Sequence, residues 1–579
     1  MTATDYFVLL FYVLGIFAVG AGLSLKVKKT DDLFKAGGRS PWWASGLSGF
    51  MTMFSAGTFV VWGGIAYRLG LVAVMINLCY GVAALLVGYF VAGRWKQLGI
   101  HTPAQFIQQR YGSAALHLYT WVMMVYRMVG TAVALYSLAV LLVNLMPLGE
   151  GNPFRDPATG NLSLTWAVLL FGGCVVIYTM VGGLWAVLMT DVLQFLVLNL
   201  AVVFMIPLIL ADVGGLDGFV SRSPEGFLMP VAGPYTWFFL AGWCTVHFFM
   251  VGAEWAFVQR FICVPSAKDA RKSAYLFGAL YLISPMLWLL PPLAYRLIHP
   301  IPAGASEAEI TALAEGAYIM ACRHVLPVGM VGLMLAAMFS ATASMVSSQL
   351  NVFAGVLTED VYARLLRRPG DRHLLWAGRG FSLLLGGLLI GLALSIPWLG
   401  GAEQVIVAIT ALVVTPLLAP TIWGLFHRGV TQAAVWITVV VCFAAGAAAT
   451  FIWPEALAGW GKTPDILIGV GLPVLLMALI GLVQRGRSAG WQRIEALTAR
   501  EEAEEQRRPL VPDRAPAYIV AGALAACGAL MAALAFIDET DRGLIATFAV
   551  MLFLLAGGIV ALAVRQLPSR TTTTLEMQE

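Results

Sequence analysis

The chain has 579 residues, 60% hydrophobic and 11% charged, where a soluble domain carries roughly 25% charged residues. Its formal net charge of +4 offers little to a nucleic-acid backbone. Its seven cysteines are scattered through apolar runs with no CxxC spacing, which excludes a disulfide framework or a cysteine metal site. Composition therefore leaves one class, an all-α polytopic membrane protein.

Apolar runs of spanning length predict about 15 transmembrane helices, at 5–25, 44–67, 71–93, 115–146, 164–181, 188–211, 236–258, 273–298, 325–356, 380–397, 403–425, 430–452, 464–483, 516–536 and 543–564. The first run has Asp5 and no basic residue before it, with Lys26, Lys28 and Lys29 after it. That reads as a spanning helix, not a signal peptide. With the N-terminus outside, the outer segments hold only Arg68, Arg155, Arg222, Arg296, Arg323, Lys462 and Arg542 of the 35 basic residues, and the cytoplasmic segments hold nearly all the rest. The positive-inside rule then puts the C-terminus in the cytoplasm. Loops are short and leave no room for a soluble catalytic domain. The longest polar segment, 484–514, reads as a solvated cytoplasmic helix and linker.

Ser45–Tyr67 differs from its neighbours. It places Gly46, Ser48, Gly49, Thr52, Ser55, Gly57 and Thr58 where a lipid-facing helix would carry leucine. Such a segment is either a close helix–helix contact or a broken helix lining a site, since an opened backbone needs partners inside the protein. The helix at 236–258 starts after a similar Pro-Tyr, five helices later. An odd number of helices per unit would invert the second unit, as in transporters that hold solute between two broken first helices.

Few charges fall within spans, where they are costly and mark function. Arg127 lies deep in its helix with no acid near it in sequence. It reads either as paired to carbonyls or a distant acid, or as a fork for a solute carboxylate. Asp191 suits a helix start or a cation or proton site. Ser340, Ser344 and Ser347/Ser348 share one helix face and supply hard oxygen ligands, or pack as small residues. Glu254, near Gln259 and Arg260, reads as a cytoplasmic-side structural pair or gate. No Walker sequence is present, so ATP is not the driver.

Three stretches in order resemble the sodium:solute symporter family: Gly182-Gly183 with Ala186, Thr190-Asp191 and Gln194; Val258-Gln259-Arg260; and the serine-rich 335–344 running to Thr358-Glu359-Asp360-Val361-Tyr362. The resemblance implies a leucine-transporter-type 5+5 inverted repeat with accessory helices. Its units would be an N-terminal accessory helix and loop at 1–41, repeats at 42–211 and 212–429, accessory helices at 430–483, the charged linker at 484–514 and C-terminal accessory helices and tail at 515–579. It implies Na+ as coupling ion, held by backbone oxygens near Met51, Phe54 and Ala337 and by Ser340. Ala341 stands where the family usually has a second hydroxyl. A further cation site would use Asp191 with Ser340, Ala343 and Ser344. Solute contacts would come from Ser55, Thr58, Asn77 and Arg127, with Tyr80, His247 and Phe249 as wall or gate residues. Arg127 matches in placement the arginine of the sialic-acid branch.

The expected function is sodium-coupled symport of a small polar, carboxylated solute (a sialic acid, sugar acid or monocarboxylate) across the plasma (inner) membrane. The expected partners are that solute and the bilayer, with no nucleic acid and no obligatory protein partner. The chain is expected not to be an enzyme. The alternatives are a proton-coupled or uncoupled carrier, with Asp191 as proton site, and a membrane solute sensor.

Overall fold

The computed structural model describes residues 2–24, 40–100, 102–178, 184–362, 366, 371–453, 458–505, 515–537 and 542–565. Gly182, Gly183, Lys26, Lys28, Lys29 and the side chains of Asp191, Ser348, Glu359 and Asp360 lie outside the described residues. Among those described there is no β-strand, only isolated bridges in loops. Among the described residues ten helices are long and apolar enough to cross a membrane. The remaining expected spans coincide with shorter apolar helices or with the interrupted helix at 42–69.

The elements that build the site are α1 (Ala3–Ser24), α2 (Trp42–Thr52), α3 (Gly63–Leu69), α4 (Val72–Phe90), α5 (Ser113–Val143), α6 (Leu164–Tyr178) and α7 (Leu184–Asp212). They continue with α8 (Trp237–Ala253), α9 (Trp255–Ile262), α10 (Ala267–Ile298), α11 (Glu307–Val325), α12 (Met330–Val356), α13 (Asp371–Ser395) and α14 (Gly401–Phe426). A further helix, α15 (Ala489–Glu505), follows.

These helices form two packed groups. One contains α2, α4, α8, α9 and α10; the other contains α5, α6, α12 and α13. Lipid tails give no hydrophobic drive between helices, so close backbone approach supplies the packing. The first group achieves it with glycines: a Cβ added to Gly81 of α4 would lie 3.0 Å from the Gly278 carbonyl oxygen of α10, and the reverse is also true. Between the groups run α7, which packs on α2, α10 and α12, and α14, which packs on α5 and α8.

Both groups are fastened at their ends. On α11, Glu315 accepts from Tyr136 Oη of α5 (2.6 Å) and from the Ala402 amide that opens α14 (2.9 Å). Close by, Tyr235 Oη donates to Glu403 (2.5 Å), and Arg68 pairs with Glu403 at 3.5 Å. At the opposite end α15 is docked, where the sequence suggested a solvated helix. Arg493 Nε donates to the Gln109 carbonyl (2.8 Å), Arg110 donates to Ser488 Oγ (2.7 Å), and Ile494 is buried. A single apolar turn on a charged helix gives too weak a periodic signal to reveal that contact.

The N-terminal helix is secured by a carboxylate. Asp5 is 3% exposed, and its Oδ1 accepts from the Gly329 and Gly332 amides at 2.8 and 3.1 Å, capping the start of α12 from another helix. Those amides have no intrahelical partner. Replacing Asp5 with alanine strands two buried donors, each costing about 1–3 kcal/mol. We expect Asp5→Ala to lower the unfolding temperature in detergent measurably and Asp5→Asn, which keeps an acceptor, to lower it less. Equal stability of all three proteins would refute the capping role.

Candidate functional site

The helix that begins at Trp42 stops at Thr52 and resumes through a π-turn at Thr58–Trp62. Its backbone groups are taken over by side chains. Thr342 Oγ1 on α12 accepts from the Ala56 amide (2.9 Å), Ser55 Oγ accepts from Gly57 (3.1 Å), and Thr58 Oγ1 accepts from Ser55 (3.3 Å). In an unbroken helix the Ala56 and Gly57 amides would bond the Thr52 and Met53 carbonyls. Those carbonyls are therefore released from the ladder at the centre of the fold. The hydroxyl-rich composition of Ser45–Tyr67 is what satisfies an opened backbone away from water.

A second helix is broken in the same manner. α8 ends at Ala253, Glu254 takes extended angles (φ −71°, ψ 137°), and α9 starts at Trp255. Glu254 caps α9 with its own carboxylate, accepting from the Ala256 amide at 3.3 Å. A carboxylate is favoured there by the exposed amides and the helix dipole.

Against the first break lies a cavity of about 770 Å³, open space at its mouth included, which reaches α8 at Trp243, His247 and Met250. Five expected solute residues line it: Ser55, Thr58, Tyr80, Arg127 and His247. Asn77 and Phe249 do not. Asn77 is buried and donates to the Ala73 carbonyl (2.9 Å), and Phe249 stacks on Trp423 at 6.3 Å. The wall also includes Trp62, Trp243, Gln349 and Thr410, which the sequence reading did not single out. From Trp62 a column of rings runs through Trp243 and Phe239 to Tyr235, linking the cavity to the Glu403 cluster.

His247 Nδ1 sits 2.8 Å from the Trp243 carbonyl, which can only accept, so the proton is on Nδ1 and Nε2 presents a lone pair. That Nε2 is buried without a protein hydrogen-bond partner, while the neighbouring Trp243 lies within reach of Tyr80. One acceptor is thus left for whatever fills the cavity.

Arg127 is not a free fork. Its Nε donates to Glu254 Oε1 (3.0 Å) and its Nη2 pairs closely with Oε2, with side chains 13% and 3% exposed. The distant acid, one of the two alternatives for Arg127, is present and comes from the break in the second discontinuous helix. The sequence held little signal for it: the partner lies 127 positions away, on another span. Glu254, expected as a cytoplasmic-side structural pair or gate, is paired with Arg127.

The residues assigned to sodium are divided between α2 with its break and α12. Met51, Phe54, Ala337 and Ser340 are all buried. The bond from Ala56 to Thr342 fastens the two walls together, and Thr342 Oγ1 also donates to the Met338 carbonyl (2.9 Å), so this hydroxyl is committed to structure. Backbone carbonyls beside the break on one wall and the buried Ser340 hydroxyl on the other are hard oxygen donors of the kind a small cation takes. The donor set fits sodium, with Ala341 adding no oxygen. Asp191 lies on α7, which packs on both walls.

A family model described as the sodium:solute symporter family matches residues 33–440, well over half the chain. The chain belongs to that family. As a sodium:solute symporter it is 27% identical over 468 residues to a sodium/glucose cotransporter of Vibrio parahaemolyticus, covering 75% of this chain and 83% of that protein. It is 27% identical over 408 residues to the sodium/sialic acid symporter NanT of Aliivibrio fischeri, covering 68% and 76%. Among solved structures it is similar to a Na+-coupled sialic acid symporter in a substrate-bound outward-open state. The TM-score is 0.67 at 23% identity, over 84% of this chain and 99% of that one. The shared architecture is the leucine-transporter type.

Removing one member of a buried ion pair costs about 3–5 kcal/mol because the other is left uncompensated. We expect Arg127→Gln and Glu254→Gln each to destabilise the protein strongly in detergent unfolding, and the double variant to lose much less than their sum. Additive losses would show that the two side chains do not interact.

Proposed function

We propose that the protein is a secondary active transporter that couples entry of a small polar organic solute to inward sodium movement. The observation that carries this is a cavity at the break of the first discontinuous helix, lined by Arg127 and the hydroxyls of Ser55, Thr58 and Thr410, in a chain of this family. Two inverted units, 42–211 and 212–429, would rock around it in alternating access. The protein would lie in the plasma (inner) membrane with its N-terminus outside and C-terminus in the cytoplasm, as the basic residues argue.

In this reading Ser55, Thr58 and Thr410 offer hydroxyls to the solute and His247 an acceptor. A solute hydroxyl donating to His247 would satisfy its orphaned Nε2. A hydroxylated solute has more support than a simple carboxylate, because Glu254 already occupies the Arg127 fork. Sodium would be held by backbone oxygens near Met51, Phe54 and Ala337 and by Ser340, and binding there would favour the closed contact between α12 and the break.

The test is uptake into proteoliposomes from a panel of radiolabelled polar solutes, with and without a sodium gradient. Sodium should stimulate uptake with weak apparent affinity, and Ser340→Ala should abolish the stimulation. Ala341→Ser restores a hydroxyl worth about 1 kcal/mol, so it should tighten apparent sodium affinity several-fold. Uptake driven by pH, indifferent to sodium and lost in Asp191→Asn, would mean that the proton is the coupling ion.

A further inference from the structure

We infer that Glu254 is the charge selector of the cavity: it cancels Arg127, so the site takes solutes without net charge, and its removal would make the site a receptor for anions. This rests on the reading of the cavity as a solute site and adds the class of solute it admits.

Three observations carry it. The pairing is two-pronged, through Nε and Nη2 of the same guanidinium, which is the strongest geometry an arginine offers a carboxylate. Glu254 is held independently of Arg127, because its Oε1 also accepts from the Ala256 amide at the start of α9. It therefore cannot swing away without uncapping a helix. Finally, Arg127 is the one formally charged residue among the described residues lining the cavity, and Glu254 behind it balances that charge. A solute carboxylate would have to share one guanidinium with a fixed, buried carboxylate, and like charges at that distance repel strongly in a medium poorer in screening than water. A hydroxyl or carbonyl oxygen can still accept from the N–H groups that Glu254 leaves unused. Specificity of this kind works by a repulsive element as much as by an attractive one.

The arrangement also explains why the pair sits where it does. α5 has no extended packing against α8 or α9, which belong to the other helix group. Arg127–Glu254 is thus a polar cross-link between two bodies that touch little at that level. A charge selector at that position is sensed by any solute that lies between them.

The test reads the local potential directly and needs no knowledge of the natural solute. Gly130 lines the cavity three residues from Arg127, and a Cβ there meets only Ile406 Cδ1, at 3.8 Å. Gly130→Cys in a background without native cysteines is reacted with anionic sulfonatoethyl and cationic trimethylammonioethyl methanethiosulfonates. The ratio of the two rates is divided by that for a free thiol. We expect a normalised ratio near one with Arg127 and Glu254 intact. It should rise about tenfold toward the anionic reagent in Glu254→Gln, fall about tenfold in Arg127→Gln, and return near one in the double variant. A tenfold preference for the anionic reagent with both residues intact would overturn the inference, as would a ratio unmoved by Glu254→Gln. If the single variants fail to fold, the intact and double-variant proteins decide alone: equal ratios support cancellation, and a tenfold gap refutes it. Absence of reaction with either reagent would mean that solutes of this size do not enter, and the inference would fall. Sodium-stimulated uptake is scored separately, so a protein that transports nothing yet shows the expected ratios fails the transport reading and not this one.

Discussion

A backbone opened inside a bilayer has no water to complete its hydrogen bonds, and most of this fold is arranged around meeting that demand at two places. At the first, between Thr52 and Thr58, hydroxyls do the work: Thr342, Ser55 and Thr58 take the amides that the helix gives up. At the second, a single carboxylate, Glu254, caps the restarting helix. The two solutions have different consequences. Hydroxyls satisfy the backbone without adding charge and leave nearby carbonyls free. A carboxylate satisfies it with a charge that must then be balanced.

Arg127 is that balance. An ion pair at about 4 Å is worth about 4 kcal/mol at the effective dielectric typical of protein sites, while removing each ion from water costs several kcal/mol even after relaxation. Attraction between the two alone does not offset burial. The amide of Ala256 contributes further on the acidic side, and on the basic side the cavity wall leaves Arg127 partly exposed. The pair is therefore a local compromise whose value lies in position and charge sign more than in stability.

Much of this was legible in the sequence. Composition and apolar run length sufficed for the membrane class and the spans, because hydropathy over some twenty residues is a strong signal. The hydroxyl-rich Ser45–Tyr67 pointed to the first break as one of two readings, the other being a close helix–helix contact. The break at Glu254 stayed hidden. Its flanks, Phe248–Ala253 and Trp255–Val258, are ordinary apolar helix, and one residue with extended angles leaves no periodic trace. The Arg127 reading stayed open for a related reason: its partner lies on another helix, and no local pattern encodes a contact 127 positions away. Asn77 fell outside the cavity wall because a buried amide can bond back to its own helix, here at Ala73, and sequence does not distinguish the two uses.

The carboxylate of Asp5 has a consequence in time. Its partners, Gly329 and Gly332, lie 324 and 327 positions further along the chain. During synthesis the first helix enters the membrane long before the start of α12 exists, so Asp5 must wait with only the Thr2 amide and hydroxyl for company. This helix is thus made long before the amides that secure it, and its hold depends on a contact that forms late.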